Sequence, residues 1–188
     1  MKNLLNLYKQ WKGEAPLKVE TLPKAGSNRQ YVRMFANGGT TAIGVIGPSI
    51  EENKCFVYLA QHFTAKQLPM PKIYAISDDS QCYIQQDLGH VALYDALAKA
   101  RANDFTYEAT EQSLLERTIR SLAHVQIEGA KELDFNKCIS PIRFDHQAAM
   151  FDLNYFKYSF LKTTDLPFDE IRLEANMQRF ATDLVGDE

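Results

Sequence analysis

The chain has 188 residues, 45% of them hydrophobic, which is enough to bury the core of one domain, or of one lobe and part of a second. Its formal net charge of -3 gives no general attraction to nucleic acid, which would need a clustered basic face. Cys55, Cys82 and Cys138 form no C-x-x-C pair, a usage typical of reduced thiols in a cytoplasmic protein. Residues 1–12 lack the continuous apolar run of a signal peptide or membrane span, so we expect a cytoplasmic protein with no membrane partner.

The N-terminal half begins with apolar residues at helical spacing and continues with runs of strand character. Leu4, Leu7, Tyr8 and Trp11 predict a short amphipathic helix, which Gly13 would end in the left-handed conformation. Gly38 and Gly39 favour a tight hairpin between the second and third strands, because glycine reaches positive φ without steric cost. The three predicted strands are 17–22, 30–35 and 40–46.

A change of period at Ser49 predicts a helix with acidic residues in its first turn, where they suit the helix dipole. Pro69 and Pro71 are expected to end it. Two further strands are predicted at 72–76 and 81–86, joined by the polar turn 77–80. After Gly89 the pattern is helical throughout, with predicted helices at 92–102, 107–126, 144–161 and 168–184.

A turn of small residues lies between the first two predicted strands. Backbone N–H groups in such a turn can converge on phosphate oxygens, which bulky residues would prevent. Gly26, Ser27 and Asn28, with Ala25 before them, meet this requirement, and Arg29 could add a charge-assisted hydrogen bond to phosphate. An ordinary β-turn with Arg29 in solvent accounts for the same residues, so both interpretations stay open.

Three segments together carry a family resemblance. Leu-Pro-Lys-Ala-Gly-Ser-Asn-Arg-Gln-Tyr at 22–31, Glu-Glu-Asn at 51–53 and Gln-Gln-Asp-Leu-Gly at 85–89 resemble the aminoglycoside phosphotransferase and choline kinase-like families, most of all bacterial kinases of cell-wall amino sugars. The resemblance implies that 85–89 is the hinge between two lobes, with Gln86 and Leu88 facing adenine through main-chain groups. It also implies ATP and Mg²⁺ as cofactors and a small-molecule substrate as partner.

One residue of the general kinase pattern is missing. Kinases carry a lysine on the third strand, which holds phosphates and pairs with a glutamate on the following helix. Residues 40–46 contain no lysine, although Glu52, with Glu51 as the other candidate, is the helix glutamate by resemblance. Both glutamates could instead only stabilise the start of the helix. Without the lysine, phosphates would be held by backbone amides, Arg29, Lys24 or Arg33, or by groups beyond the present C-terminus.

The helical half offers no catalytic or metal-binding motif. His124 is interpreted as a residue that caps or packs a helix end, and no H-E-x-x-H sequence occurs, so we assign no catalytic residue and no metal ligand. The predicted helix at 144–161 is rich in aromatic residues. If a missing domain normally covers some of these rings, they form an exposed apolar patch that invites dimerisation.

The fold class predicted from these patterns is α+β. The expected architecture is a protein kinase-like N-terminal lobe at 1–88, a five-stranded antiparallel sheet with one inserted helix, followed by an incomplete helical C-terminal lobe at 89–188. The corresponding function is a fragment of an ATP-dependent phosphotransferase for a sugar, amino sugar or similar acceptor. It is expected to be inactive alone, because no H-x-D-x-x-x-x-N loop or metal-binding aspartate motif is found.

Two alternatives remain at this point. A kinase-like module without catalysis could serve in binding or regulation, which the missing lysine favours. An unrelated α+β domain could share the turn and hinge by coincidence, and a parallel sheet would favour it.

Overall fold

Five short strands form one antiparallel sheet in the computed structural model, which describes residues 1–24, 26–139 and 143–186. Ala25, the first residue of the predicted phosphate turn, lies outside the described residues, as does the end of the 128–142 connection. The strands are β1 (Lys18–Thr21), β2 (Gln30–Phe35), β3 (Thr41–Ile46), β4 (Ile73–Ile76) and β5 (Cys82–Gln86), in the order β1-β2-β3-β5-β4. The predicted α+β class and antiparallel sheet are therefore confirmed.

Two helices pack on opposite faces of this sheet. The first, α1 (Lys2–Lys12), ends at Gly13, whose φ of 82 is the left-handed conformation expected there. The second, α2 (Ile50–Ala65), lies between β3 and β4 in the chain and is capped by the Ser49 hydroxyl, which accepts a hydrogen bond from the backbone N–H of Glu52. It ends at Ala65, and Gln67 then takes a φ of 60, so the chain leaves the helix before Pro69 and Pro71 are reached.

The face covered by α1 is apolar. Because side chains alternate along a strand, Val32 and Met34 of β2 lie on the same face as Ala42 of β3 and Ile84 of β5. They pack with Leu4, Leu7 and Tyr8 of α1 in one buried cluster. Trp11 extends this contact to the sheet edge by stacking on Tyr74, with ring centroids 4.8 Å apart.

The face covered by α2 is apolar for only part of its length. Val45 and Tyr83 pack against Val57 and Phe56 of the helix, and the Phe56 and Tyr83 rings lie 5.4 Å apart. Arg33 of β2 lies on this same face, since it is in register with Ile43. One sheet therefore has a side whose buried core is apolar and a side on which apolar and charged residues meet.

Helices follow the sheet, as predicted, with some different bounds. They are α3 (Leu93–Ala96), α4 (Ala98–Ala102) and α5 (Ala109–Ala130), followed by a 3₁₀ turn at Phe135–Lys137. The single helix predicted at 92–102 is divided at Leu97, whose ψ of 11 leaves the helical region, although main-chain hydrogen bonds from Leu97 to Leu93 and from Arg101 to Leu97 continue across it. Gly129 of α5 lies against the Phe63 ring of α2, and a methyl group there would come within 2.7 Å of it.

The chain divides into two compact units, Met1–Lys137 and Cys138–Glu188. The second unit contains α6 (His146–Ser159), a 3₁₀ turn at Leu161–Thr163 and α7 (Glu170–Val185). Met150 and Met177 join these helices in a small buried cluster with Ala149 and Ala181. The division falls later than residue 88, where the sequence changes from strands to helices; the predicted lobe boundary at 88/89 stays a prediction.

The aromatic residues of α6 are largely exposed. Phe151 is 70% exposed and Tyr155 is 68% exposed, while Phe156 and Phe160 stack on each other with centroids 5.5 Å apart. Dimerisation through these rings stays a prediction.

Candidate functional site

Arg29 connects the turn between β1 and β2 to the first turn of α2. Its side chain lies on the α2 face of the sheet because it alternates with Tyr31 and Arg33. Arg29 Nε donates to Asn53 Oδ1 at 3.4 Å, and a terminal guanidinium nitrogen lies 3.6 Å from Glu52 Oε2. Only 17% of the Arg29 side chain is exposed, so this cation is held against the protein. Of the predicted site residues, Arg29 and Glu52 are therefore brought together.

Asn53 fixes the start of α2 to two loops. Its side chain is fully buried, and Nδ2 donates to the carbonyl oxygens of Gly47 at 3.0 Å and Ser80 at 2.9 Å. Gly47 is required by this contact, because a Cβ there would lie 2.1 Å from Asn53 Oδ1. The amide thus positions the helix that carries Glu52 and orients the oxygen that meets Arg29. Sequence reasoning missed this role, although Gly47 and Asn53 flank Ser49, where the helix was predicted to begin.

The small residues of the turn point into solvent. Gly26, Ser27 and Asn28 are exposed, and the Ser27 hydroxyl accepts a hydrogen bond from the Arg29 backbone N–H at 3.2 Å. Within the described residues, the backbone N–H groups of Gly26, Ser27 and Asn28 make no main-chain hydrogen bond. N–H donors without main-chain partners in an exposed turn can bind an anionic ligand.

The predicted hinge is held to β2 by a buried ion pair. Arg33 Nε donates to Asp87 Oδ2 at 2.6 Å and Nη2 donates to Asp87 Oδ1 at 3.1 Å, a two-point contact between side chains that are 6% and 7% exposed. Arg33 Nη2 also donates to Gly89 O at 2.7 Å, and Nη1 lies 2.7 Å from His90 Nδ1, which must be the acceptor because a guanidinium has no lone pair to offer. Arg33 is therefore committed to the hinge, which leaves Arg29 and the exposed Lys24 among the cations considered for phosphate.

The hydrogen bonds from Arg33 hold the pKa of the Asp87 carboxyl at about 2, well below its ordinary value. The same contact raises the pKa of Arg33. Asp87 Oδ1 also accepts from the Gly89 backbone N–H at 2.9 Å, and Gly89 takes a φ of 100, a conformation suited to glycine. Charge and backbone geometry together fix the path of the chain just after β5.

Gln86 and Leu88, the predicted adenine-facing positions, differ in their surroundings. The Gln86 N–H donates to Lys72 O at 2.8 Å and its side-chain Oε1 accepts from Lys72 N at 3.3 Å, so it closes the ladder between β4 and β5. Leu88 is 71% exposed in the loop that follows. Its main chain is accessible to a ligand, whereas the Gln86 side chain is used within the sheet.

The two groups of predicted residues lie toward opposite ends of β3. Gln30, next to Arg29, is in register with Ile46, and Gln86 is in register with Ala42. Four residues of strand correspond to about 13 Å. The structure therefore does not bring Gly26–Arg29 into contact with Gln86 and Leu88, and the two groups lie toward opposite ends of one strand.

Among the described residues there is no group of three His, Cys, Asp or Glu side chains arranged to hold a metal ion. In the same part of the chain, every helix is too short or too polar to cross a membrane. His62 Nε2 lies 2.9 Å from the Gly129 carbonyl oxygen and so serves the packing of α2 against α5.

Comparison with known proteins does not identify a family. No protein-family model matches the chain, and no curated protein is significantly similar to it.

Proposed function

We propose that the Met1–Lys137 unit binds ATP as the nucleotide-binding lobe of a phosphotransferase whose acceptor is a small hydroxylated molecule, such as a sugar or amino sugar. One observation carries the proposal: α2 is inserted between β3 and β4 of a five-stranded antiparallel sheet, and its first turn meets the β1–β2 turn through Arg29 and Glu52. The order of elements is the one that the family resemblance implies, while the cation that meets the helix glutamate comes from the β1–β2 turn and not from the third strand.

In this proposal Arg29 replaces the missing third-strand lysine as the cation that binds phosphate and pairs with the helix glutamate. It comes from the neighbouring turn rather than from β3, yet it pairs with the helix glutamate, and the exposed residues Gly26, Ser27 and Asn28 directly precede it in the chain. Guanidinium is a planar donor that binds phosphate oxygens at two points. Glu52 and Asn53 hold it in place before any ligand binds, which reduces the entropic cost of binding.

At the other end of β3, the loop after Gln86 supplies main-chain groups for the base. Its path is fixed by the Arg33–Asp87 pair, so the main chain at Leu88 is ordered without a ligand. The base at the hinge and the phosphates at Arg29 would then lie along the α2 face of the sheet.

The described residues do not fit a magnesium site of their own, and the proposal does not rely on one. The sequence also lacks an H-x-D-x-x-x-x-N motif, whose aspartate would orient the acceptor hydroxyl. We therefore expect nucleotide binding by this chain and no detectable ATP turnover. Turnover that persists after removal of contaminating kinases would contradict the second expectation.

The test is titration of the whole chain with ATP by calorimetry. Arg29→Gln should weaken binding about tenfold or more, because a hydrogen bond to a charged group contributes about 1.5–3 kcal/mol. Arg179→Gln is the matched control, since Arg179 is an exposed arginine on α7, and it should leave the affinity unchanged. Absence of ATP binding at millimolar concentration would overturn the proposal.

A second candidate is a non-catalytic binding or regulatory module with the same fold. The absence of lysine from β3 favours it. The two candidates differ in chemistry: a phosphotransferase lobe holds ATP for transfer of phosphate to an acceptor, and a regulatory module binds its ligand without transfer.

A further inference from the structure

Gln85 has a buried oxygen with no hydrogen-bond partner. It is the second-last residue of β5, and it shares the α2 face of the sheet with Tyr83 and Asp87 because the three residues alternate along the strand. Its cross-strand neighbours are Ile43 and Ile73. Within the described residues, Gln85 Oε1 accepts no hydrogen bond, although solvent does not reach it. A strong acceptor therefore lies buried on a strand whose two cross-strand neighbours at this position are apolar.

The residues on either side of Gln85 on the same face of β5, Tyr83 and Asp87, both have partners within the protein. On one side Tyr83 is covered by the Phe56 ring, and on the other Asp87 is satisfied by Arg33 and by the Gly89 N–H. Gln85 lies between Tyr83 and Asp87 on this face, and its Oε1 is the atom without a hydrogen-bond donor. Burying a polar group without a partner costs free energy, so native proteins keep few such groups, and each one needs an explanation. A bound ligand with an N–H or O–H donor would provide it.

Adenine offers the complementary group. A glutamine amide pairs with adenine at two points, accepting from the exocyclic amino group through Oε1 and donating to N7 through Nε2. Gln85 directly precedes the segment whose main chain is proposed to meet the base. We infer that Gln85 is the side chain that selects adenine, with Oε1 accepting from its exocyclic amino group. This inference rests on the proposed function.

The test compares two nucleotides that differ only in this group. ATP and purine riboside triphosphate, which lacks the amino group, are titrated separately into the whole chain and into Gln85→Leu. The wild-type chain should bind ATP about tenfold more tightly than the analogue, as expected for one buried hydrogen bond. Gln85→Leu should reduce this preference to within about twofold. Gln81→Leu, an exposed glutamine on the loop that leads into β5, is the matched control and should keep the wild-type preference.

The outcomes separate the two proposals. If the wild-type chain binds ATP but Gln85→Leu keeps the tenfold preference, the inference is wrong and the nucleotide-binding proposal stands. If the wild-type chain binds neither nucleotide, both are overturned.

A stability measurement without ligand gives an independent check and shows whether the variant folds. Leucine removes the unpartnered oxygen, so Gln85→Leu should melt about 2–4 °C above the wild-type chain. A lower melting temperature would mean that the amide is satisfied within the protein itself, and the inference would be overturned.

Discussion

The two faces of the sheet are built from the same five strands but are stabilised by different interactions. On the α1 face, apolar side chains from β2, β3 and β5 meet Leu4, Leu7 and Tyr8, and burial alone stabilises the contact. On the α2 face, apolar packing around Tyr83 gives way to Arg33, Gln85 and Asp87. Charged groups rarely stay buried unless they are paired. The comparison teaches that apolar packing on the α1 face stabilises the sheet, while the α2 face keeps buried polar groups at a cost in stability.

Breaking the buried ion pair should have the largest effect. Arg33→Met leaves Asp87 buried without its partner, and we expect a loss of about 3–5 kcal/mol in the free energy of unfolding, measured by urea denaturation. The double variant Arg33→Met/Asp87→Leu removes both charges and should recover most of that loss, because an apolar pair can replace a buried ion pair. If the double variant is no more stable than Arg33→Met, the unpaired charge of Asp87 is not the cause of the lost stability.

A methyl group added on each side of the sheet sharpens the comparison. Gly47→Ala places a Cβ 2.1 Å from Asn53 Oδ1, so the buried amide must move and lose its hydrogen bonds, at an expected cost of about 2–4 kcal/mol. Gly44→Ala, on the α1 face, meets the flexible ends of Leu4 and Met34 at 2.7 and 2.8 Å and should cost about 1–2 kcal/mol. Urea denaturation of both variants measures the difference. If Gly47→Ala and Gly44→Ala lose the same free energy of unfolding, the hydrogen bonds of Asn53 contribute no more at this position than apolar packing does on the α1 face.

The dependence of stability on pH should come partly from the α2 face. The folded pKa of Asp87 is about 2, below the unfolded value near 3.9, so its contribution is fully present above pH 4 and is lost as the pH falls toward 2. The expected loss is about 2 kcal/mol, followed by urea denaturation between pH 5 and 2. Leu4→Ala, which weakens the apolar face, should keep the wild-type dependence, whereas Asp87→Asn should flatten it. An unchanged slope in Asp87→Asn would contradict the assignment.

Local patterns predicted most of the elements. The strand runs at 30–35 and 40–46, the glycine pair at 38–39 and the helix start at Ser49 each depend on neighbours a few residues away, and the structure confirms all of them. The antiparallel sheet followed from short strands joined by short turns.

The contacts of the candidate site could not be predicted in the same way. Arg33 meets Asp87 across 54 positions of sequence, and Asn53 meets Ser80 across 27, so no local period reports them. Arg33 was considered as a phosphate-binding cation because only its charge was visible. An arginine inside a strand, on the same face as Ile43, does carry a signal: its charge must be neutralised by another residue on that face.

The stacking of Trp11 on Tyr74 gives the Met1–Lys137 unit a built-in fluorescent probe. Trp11 is the single tryptophan of the chain, and it lies where the end of α1 meets the edge strand β4. Fluorescence excited at the long-wavelength edge of the protein absorption band comes from Trp11 alone. A change in this fluorescence therefore reports the release of α1 from the sheet. Nucleotide bound on the opposite face should leave this emission almost unchanged, whereas unfolding of the sheet should alter it, so a single unlabelled sample can distinguish ligand binding from loss of the fold.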